Sequence, residues 1–295
     1  MQTAPYRFFA YSPWDAVPVA EGILHLAAVV GLFLVFPLLP WWGVIVAGLL
    51  YAYSISWNHN SIAHNFVHNP YFASPALNRA FALLLSLTLG YAQTDYHYDH
   101  LRHHAGNSDR PDGKGHTLDP FSIYRFGRNG APENMLRYVF SSYVRDTATG
   151  PDPFIGPRRQ LDRKWGRFEM ACVILFYGVL AFLDWRFVLC MLPFNYLGHS
   201  LSALNGYYEH YRGNPDEPMA WGVSSYGWLY NVLWMNNGYH AEHHYRPKQH
   251  WTKMKELHGL IAEQQKAKGV HVMRLPHALG FLEPAPRADE ARSAA

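Results

Sequence analysis

His100-Leu101-Arg102-His103-His104 and His240-Ala241-Glu242-His243-His244 are two copies of one pattern, H-x-x-H-H, set about half a chain apart. A third cluster, His64-Asn65-Phe66-Val67-His68, is spaced H-x-x-x-H. On a helix, residues three and four apart share a face, so each cluster can turn two or three imidazoles toward one point. This is metal-ligand spacing. A single histidine among the 18 in this chain would ordinarily be a packing or surface residue, but three clusters beside apolar segments form a pattern. Eight imidazoles exceed one zinc site, which takes about four ligands when structural and about three plus water when catalytic. A pair of metal ions uses them all. Nitrogen ligation without thiolate suits iron, zinc or copper, and of these iron activates O2 through open coordination positions.

Outward from the clusters lie apolar stretches at about residues 22–39, 41–57, 168–183 and 187–204. Each is at or slightly below the roughly 17 to 25 residues that carry a helix across a bilayer. The slightly negative mean hydropathy is compatible with a membrane protein whose remaining chain is polar. The expected fold is therefore all-α and integral to a membrane. About four transmembrane helices form two hairpins, with a cytoplasmic helical cap holding the histidines. One membrane-embedded domain is expected over residues 1–283, and a disordered tail over 284–295, rich in Pro, Ala and charge. The first apolar stretch has a single upstream basic residue, Arg7, and ends in Pro37-Leu38-Leu39-Pro40 without a small-residue cleavage site. It is thus expected to remain in the mature chain.

Between Ala105 and Arg167 lie 11 Arg and Lys residues, whereas the short connections at Pro40–Trp42 and Asp184–Arg186 carry almost no positive charge. The positive-inside rule then places the long stretch, both termini and the active site in the cytoplasm, with Trp41, Trp42 and Trp185 as anchors at the opposite interface. Ala80–Ala92 is too short to span and is expected to be an interfacial or re-entrant helix. Were it to cross, the first two histidine clusters would emerge on opposite sides. Met135, Leu136, Val139, Phe140, Tyr143 and Val144 recur at helical spacing, as do Trp251, Met254, Leu257 and Ile261 ahead of Gly269. The net charge of +3 is modest and its basic residues are not interleaved with aromatics, so no nucleic-acid partner is expected. The two cysteines, Cys172 and Cys190, cannot build an iron-sulfur site, which usually needs four.

The three clusters resemble, in order and placement, the histidine boxes of the membrane fatty acid desaturase and hydroxylase superfamily, over roughly residues 20–265. Glu209-His210-Tyr211 resembles the EHY element of alkane hydroxylases and some lipid desaturases, whose histidine is a further iron ligand. The resemblance implies nine ligands: His64, His68, His100, His103, His104, His210, His240, His243 and His244. Asn195 and His199, spaced N-x-x-x-H, resemble a ligand pair of acyl-CoA desaturases and compete with His210 for the ninth place. Glu209 would then be an outer partner, as would Asp99, Asp109, Asp112 and Glu242, because carboxylates that hold the far nitrogen of a ligand imidazole fix its tautomer. Asn65 departs from the acidic residue that many relatives carry after the first box histidine. His59 and His97 precede the first two boxes and can be read as outer partners or surface groups.

What the resemblance implies is a non-haem centre of two iron ions that uses O2 and two electrons to oxidise an unactivated C–H bond of a lipid chain. Fatty acyl desaturation is the first reading. Hydroxylation of a fatty acid or alkane, and oxidative decarboxylation to a terminal alkene, are the alternatives. A membrane metal transporter is a distant one, because its ligands would sit within the spans. No HPGG element of a fused cytochrome b5 domain is present. Electrons are therefore expected from a separate ferredoxin, rubredoxin or cytochrome with its reductase.

Overall fold

The computed structural model describes residues 7–147 and 150–284, so the tail expected over 284–295 lies, apart from Pro284, outside the described residues. Helix α1 (Ala16–Val35) follows a capping box: Ser12 Oγ accepts from Trp14 N–H, and Asp15 accepts from Ser12 N–H. Such reciprocal bonds satisfy backbone donors that a helix start leaves free. Asp15 is fully buried and also accepts from His250 Nε2 (2.9 Å) and Trp251 Nε1 (3.1 Å), which ties the start of α1 to the C-terminal region. A short turn at Phe36–Leu38 leads to α2 (Trp41–Asn58).

The chain then passes through a π-helical turn, His59–Ala63, directly into α3 (His64–His68). Helix α4 (Pro75–Leu89) begins with proline at its first position and stops at Gly90, whose φ of +83° suits glycine. It contains most of the segment expected at 80–92 but starts earlier, at Ser74-Pro75. Phe81, Ala82, Leu85 and Leu89 are buried on one side of it, within the core shared with α1 and α2. Helix α5 (Gln93–Gly106) follows, and after a long loop α6 (Met135–Ser141).

Helix α7 runs from Pro157 to His210 over 54 residues, about 80 Å at ~1.5 Å per residue if it were straight. It is not straight. Asp184 has non-helical angles (φ −151°, ψ 94°), and its carboxylate accepts from Arg186 N–H (3.1 Å) and Arg186 Nε (2.8 Å) as a cap for the second half. Tyr177, before the break, and Asn195, after it, both reach Tyr51 Oη, at 3.5 and 3.1 Å. Residues so far apart in sequence can meet one atom only if the halves lie side by side. Close packing with α2 depends on Gly198, where a Cβ would stand 2.7 Å from the Ala52 carbonyl oxygen. Phe187 packs edge-on against Phe33 and Phe36, so the α1–α2 turn and the Asp184 break share one end of the bundle.

Among the described residues, Pro13–Leu38 and Pro157–His210 are long and apolar enough to cross a membrane. Their most apolar windows are each only 17% buried, unlike the core helix of a soluble protein, so the apolar side chains face outward. Beyond α7 come α8 (Trp228–Leu233), α9 (His240–Tyr245) and α10 (Met254–Ala267). Met254, Leu257 and Ile261 of α10 pack with Met219 and Tyr239 beneath α9. The strands β1 (Ser224–Ser225) and β2 (Val272–Met273) pair in parallel. Ser224 Oγ, which accepts from Ala241 N–H, joins this pair to the start of α9.

Candidate metal centre

Helices α3, α5 and α9 and the C-terminal end of α7 bring nine imidazoles together in two groups. His64, His68, His100, His104 and His243 form one; His103, His210, His240 and His244 form the other. Within each group, one nitrogen per ring lies within 4.8 Å of all the others. The H-x-x-H-H spacing, expected to aim two or three rings at one point, aims two. The i, i+4 pairs His100/His104 and His240/His244 each stay together, while His103 and His243 enter the opposite group. The reason is angular: adjacent helical residues differ by about 100° in direction, so His103 and His104 cannot face the same point.

Nε2 atoms meet across both groups. His64 and His243 are 3.0 Å apart, His68 and His100 2.9 Å, His100 and His104 3.0 Å, and His104 and His243 3.0 Å. In the second group His103 and His210 are 3.1 Å apart and His210 and His240 3.2 Å. The outer nitrogens decide what these contacts are. His103 Nδ1 donates to Asp119 Oδ2 (2.9 Å), and His210 Nδ1 donates to the Trp221 carbonyl (3.3 Å). Both acceptors lack a proton to give, so in the neutral rings both Nε2 atoms present lone pairs to one another. Two lone pairs at that distance repel unless a cation lies between them. His244 repeats the arrangement, with Nδ1 donating to Asn107 Oδ1 (2.5 Å) and Nε2 buried without a protein partner.

His64 is oriented through a longer chain. Its Nδ1 donates to Asn237 Oδ1 (3.0 Å), and the orientation of that amide is fixed because Asn237 Nδ2 donates to Glu209 Oε1 (2.6 Å). Asn205 Nδ2 donates to the same oxygen (2.7 Å). Glu209, next to the ligand candidate His210, thereby positions a ring of the other group. Burial holds His64 down at about 4, and burial followed by neighbouring imidazoles holds His68, His100, His104, His240, His243 and His244 well below the usual histidine range. Neutral rings are the form that ligates a metal. His103 is the exception: burial pushes it down, but the carboxylates of Asp119, Glu209 and Asp109 together outweigh this and raise it. The donor set fits metal ions, since neutral nitrogens converge on two points and the outer nitrogens of several are held by oxygens.

Asp119 was not apparent from the sequence. Its carboxylate also accepts from Ser108 N–H (2.8 Å) and Phe121 N–H (2.7 Å), and Asp109 accepts from the backbone of Leu118 and Asp119, so the loop presents the group rigidly. The loop approaches α5 at Gly106, where a Cβ would stand 2.5 Å from Asp119 N. Asn107, in the left-handed region at φ 49°, caps α5 and reaches His244.

Other expected outer partners lie elsewhere. Glu242 accepts from Ser224 Oγ, Tyr226 Oη and His258 Nδ1, because it points away from the ligand face of α9. Asp99 lies 3.8 Å from Arg102, and Asp112 accepts from Lys114 and His116 N–H in an exposed turn. His199 joins neither group: its Nε2 donates to the Leu89 carbonyl (2.9 Å), and Asn195 Nδ2 donates to Tyr51. His97 is outside both groups, and His59 Nδ1 meets Tyr91 Oη at 2.8 Å.

A cavity of about 140 Å³, partly open to solvent, adjoins the centre and is lined by His64, His100, His103, His210 and His240 among others. No curated protein matches the chain. The fatty acid desaturase family model matches residues 39–276, a region that includes all three histidine boxes, His210 and the whole cavity lining, and the chain therefore belongs to the fatty acid desaturase family.

Proposed function

We propose that this protein is an O2-dependent, non-haem di-iron oxidase of lipid hydrocarbon chains, with fatty acyl desaturation as its first reading. The observation that carries this reading is the convergence of nine buried or half-buried imidazoles into groups of five and four beside a cavity. His64, His68, His100, His104 and His243 would hold one iron, and His103, His210, His240 and His244 the other. When bound, the iron pair supplies the activation of O2 that breaks an unactivated C–H bond, with electrons from a separate donor protein.

The remaining chemistry belongs to the chain's own residues. Asp119 and the Trp221 carbonyl keep protons on the Nδ1 atoms of His103 and His210, leaving Nε2 free to ligate. Asn237, held by Glu209, does the same for His64. Phe121, Tyr138 and Tyr143 wall the cavity and would shield the reacting carbon of a bound chain from water. Four spans in two hairpins are supported by the side-by-side halves of α7 and by the outward apolar faces of α1 and α7. Trp41, Trp42 and Trp185, all strongly exposed at the turn end of the bundle, suit the interface away from the cytoplasm.

Two measurements test the reading. Metal analysis of protein made without an affinity tag should find two irons per chain. Mass spectrometry of lipids from cells with and without the protein should find chains lighter by two hydrogens. A gain of oxygen would assign hydroxylation, and a loss of carbon dioxide decarboxylation. A stoichiometry of one, or full activity with zinc, would overturn the di-iron reading.

A further inference from the structure

The cavity wall beside the histidine groups is not an aliphatic sleeve. Among its lining residues, Phe121 and Ala203 are the only ones with wholly apolar side chains; no Leu, Ile, Val or Met takes part. An unfunctionalised methylene chain would ordinarily be met by aliphatic and aromatic side chains, with a few polar groups placed for specificity. Here most of the lining side chains carry a polar group, and three of those groups are open.

His199 lies within the apolar stretch of α7 that follows the Asp184 break, and it is only 4% exposed. An ionisable residue at such a place is a functional candidate by default. Its Nε2 donates to the Leu89 carbonyl, so the proton sits there and Nδ1 is an acceptor. Nδ1 has no hydrogen-bond partner among the described residues, and it is not sealed within protein. Tyr143 stacks on the ring at 3.9 Å with an interplanar angle of 4°, which fixes its plane. His59, anchored at Nδ1 by Tyr91, lines the same cavity with Nε2 open. Tyr96 does so with Oη open, its ring 4.6 Å from that of His59 and 5.5 Å from that of His100.

We propose that His199, His59 and Tyr96 form a hydroxyl-binding subsite, so that the lipid oxidised here carries a hydroxyl group a short distance from the reacting carbon. The inference rests on the lipid-oxidase reading and narrows it. His199 Nδ1 can only accept, and it therefore selects a ligand group that donates; a carboxylate, ester or thioester oxygen cannot. Tyr96 Oη can donate in return. A hydroxyl both donates and accepts, and it is uncharged, which suits a cavity also lined by Glu209. Sites built to hydrogen-bond a substrate hydroxyl reject analogues lacking it far more sharply than apolar pockets reject an added methylene.

The test compares dodecane, dodecan-1-ol and dodecanoate as ligands of iron-loaded protein in detergent under nitrogen, where no turnover occurs. Affinities are read from ligand-dependent shifts of the unfolding midpoint. Dodecan-1-ol should bind about tenfold or more tightly than dodecane, the scale of one hydrogen bond whose loss leaves a buried group unpaired. Dodecanoate should bind no better than dodecane. In His199→Phe, which keeps the stacked shape, and in Tyr96→Phe, the alcohol preference should fall toward one while dodecane affinity holds. Equal affinities in the wild type, or an unchanged preference in both variants, would overturn the subsite. Aerobic turnover of the same protein separates the two ideas. Chain oxidation without an alcohol preference removes only the subsite, whereas an alcohol preference without oxidation of any chain removes the lipid-oxidase reading.

Discussion

The two histidine groups differ in a way that ligand number alone would not suggest. The group of five has more imidazoles, yet among the described residues only His64 has its outer nitrogen held by a side-chain acceptor, and His104 Nδ1 is buried without a partner. The group of four has less redundancy, but His103, His210 and His244 donate outward to Asp119, Trp221 and Asn107. One group is specified by surplus ligands and the other by orientation. The difference teaches that the two should fail differently: the first by gradual loss of ligands, the second by loss of a single ring or of the oxygen behind it.

Removing a ring from the group of four should have the largest effect. We expect His210→Ala to abolish turnover and lower iron from two to one per chain, with expression and membrane insertion as controls. Near-normal iron in His210→Ala together with iron loss in His199→Ala would reassign the ninth ligand and break the comparison. Next comes Asp119→Ala, which leaves every ring in place but frees His103. Outer-partner losses cost ~10 to 100-fold in metal affinity or activity, and Asp119→Asn, whose amide oxygen can still accept, should recover part of it. Metal competition with a chelator would measure both.

His68→Ala removes one of five, so four imidazoles remain. Its loss of iron on chelator titration should be smaller than that of His210→Ala; an equal loss would show that surplus ligands confer no tolerance. Smallest of all, His97→Ala should leave iron at the wild-type value and retain measurable activity, because His97 belongs to neither group.

The sequence carried much of this because helical spacing is local. His64 and His68, or His100 and His104, declare a shared face by being four apart, and apolar runs declare long helices by composition. The Asp184–Arg186 connection was legible for a similar reason, since it interrupts two apolar runs with charged residues. Asp119, Asn107 and Asn237 were not legible. Each reaches its imidazole across a loop or between elements, and nothing in a loop's local chemistry says which distant ring it will meet. Glu242 misled for the opposite reason: it sits among box histidines in sequence, but two positions from His240 it faces away on the helix. The splitting of each H-x-x-H-H box between two groups follows from the same angle, and the convergence of the rings of α3, α5 and α9 realises it.

The π-helical turn His59–Ala63 makes the centre sensitive to chain length as well as to chemistry. A π-turn accommodates an additional residue without breaking the helix, and it commonly does so near functional sites. Here it sets the rotation of α3 relative to α2, and hence which way His64 and His68 look. Deleting one residue from this turn would restore an ordinary α-helix with α3 in nearly its present rotation, whereas deleting two would rotate everything beyond it by about 100° relative to α2. Every ligand would still be present in the gene. After the longer deletion both rings would nevertheless swing off the five-membered group, so an in-frame loss of two codons there should inactivate the protein as thoroughly as replacing the histidines themselves, and a loss of one should not.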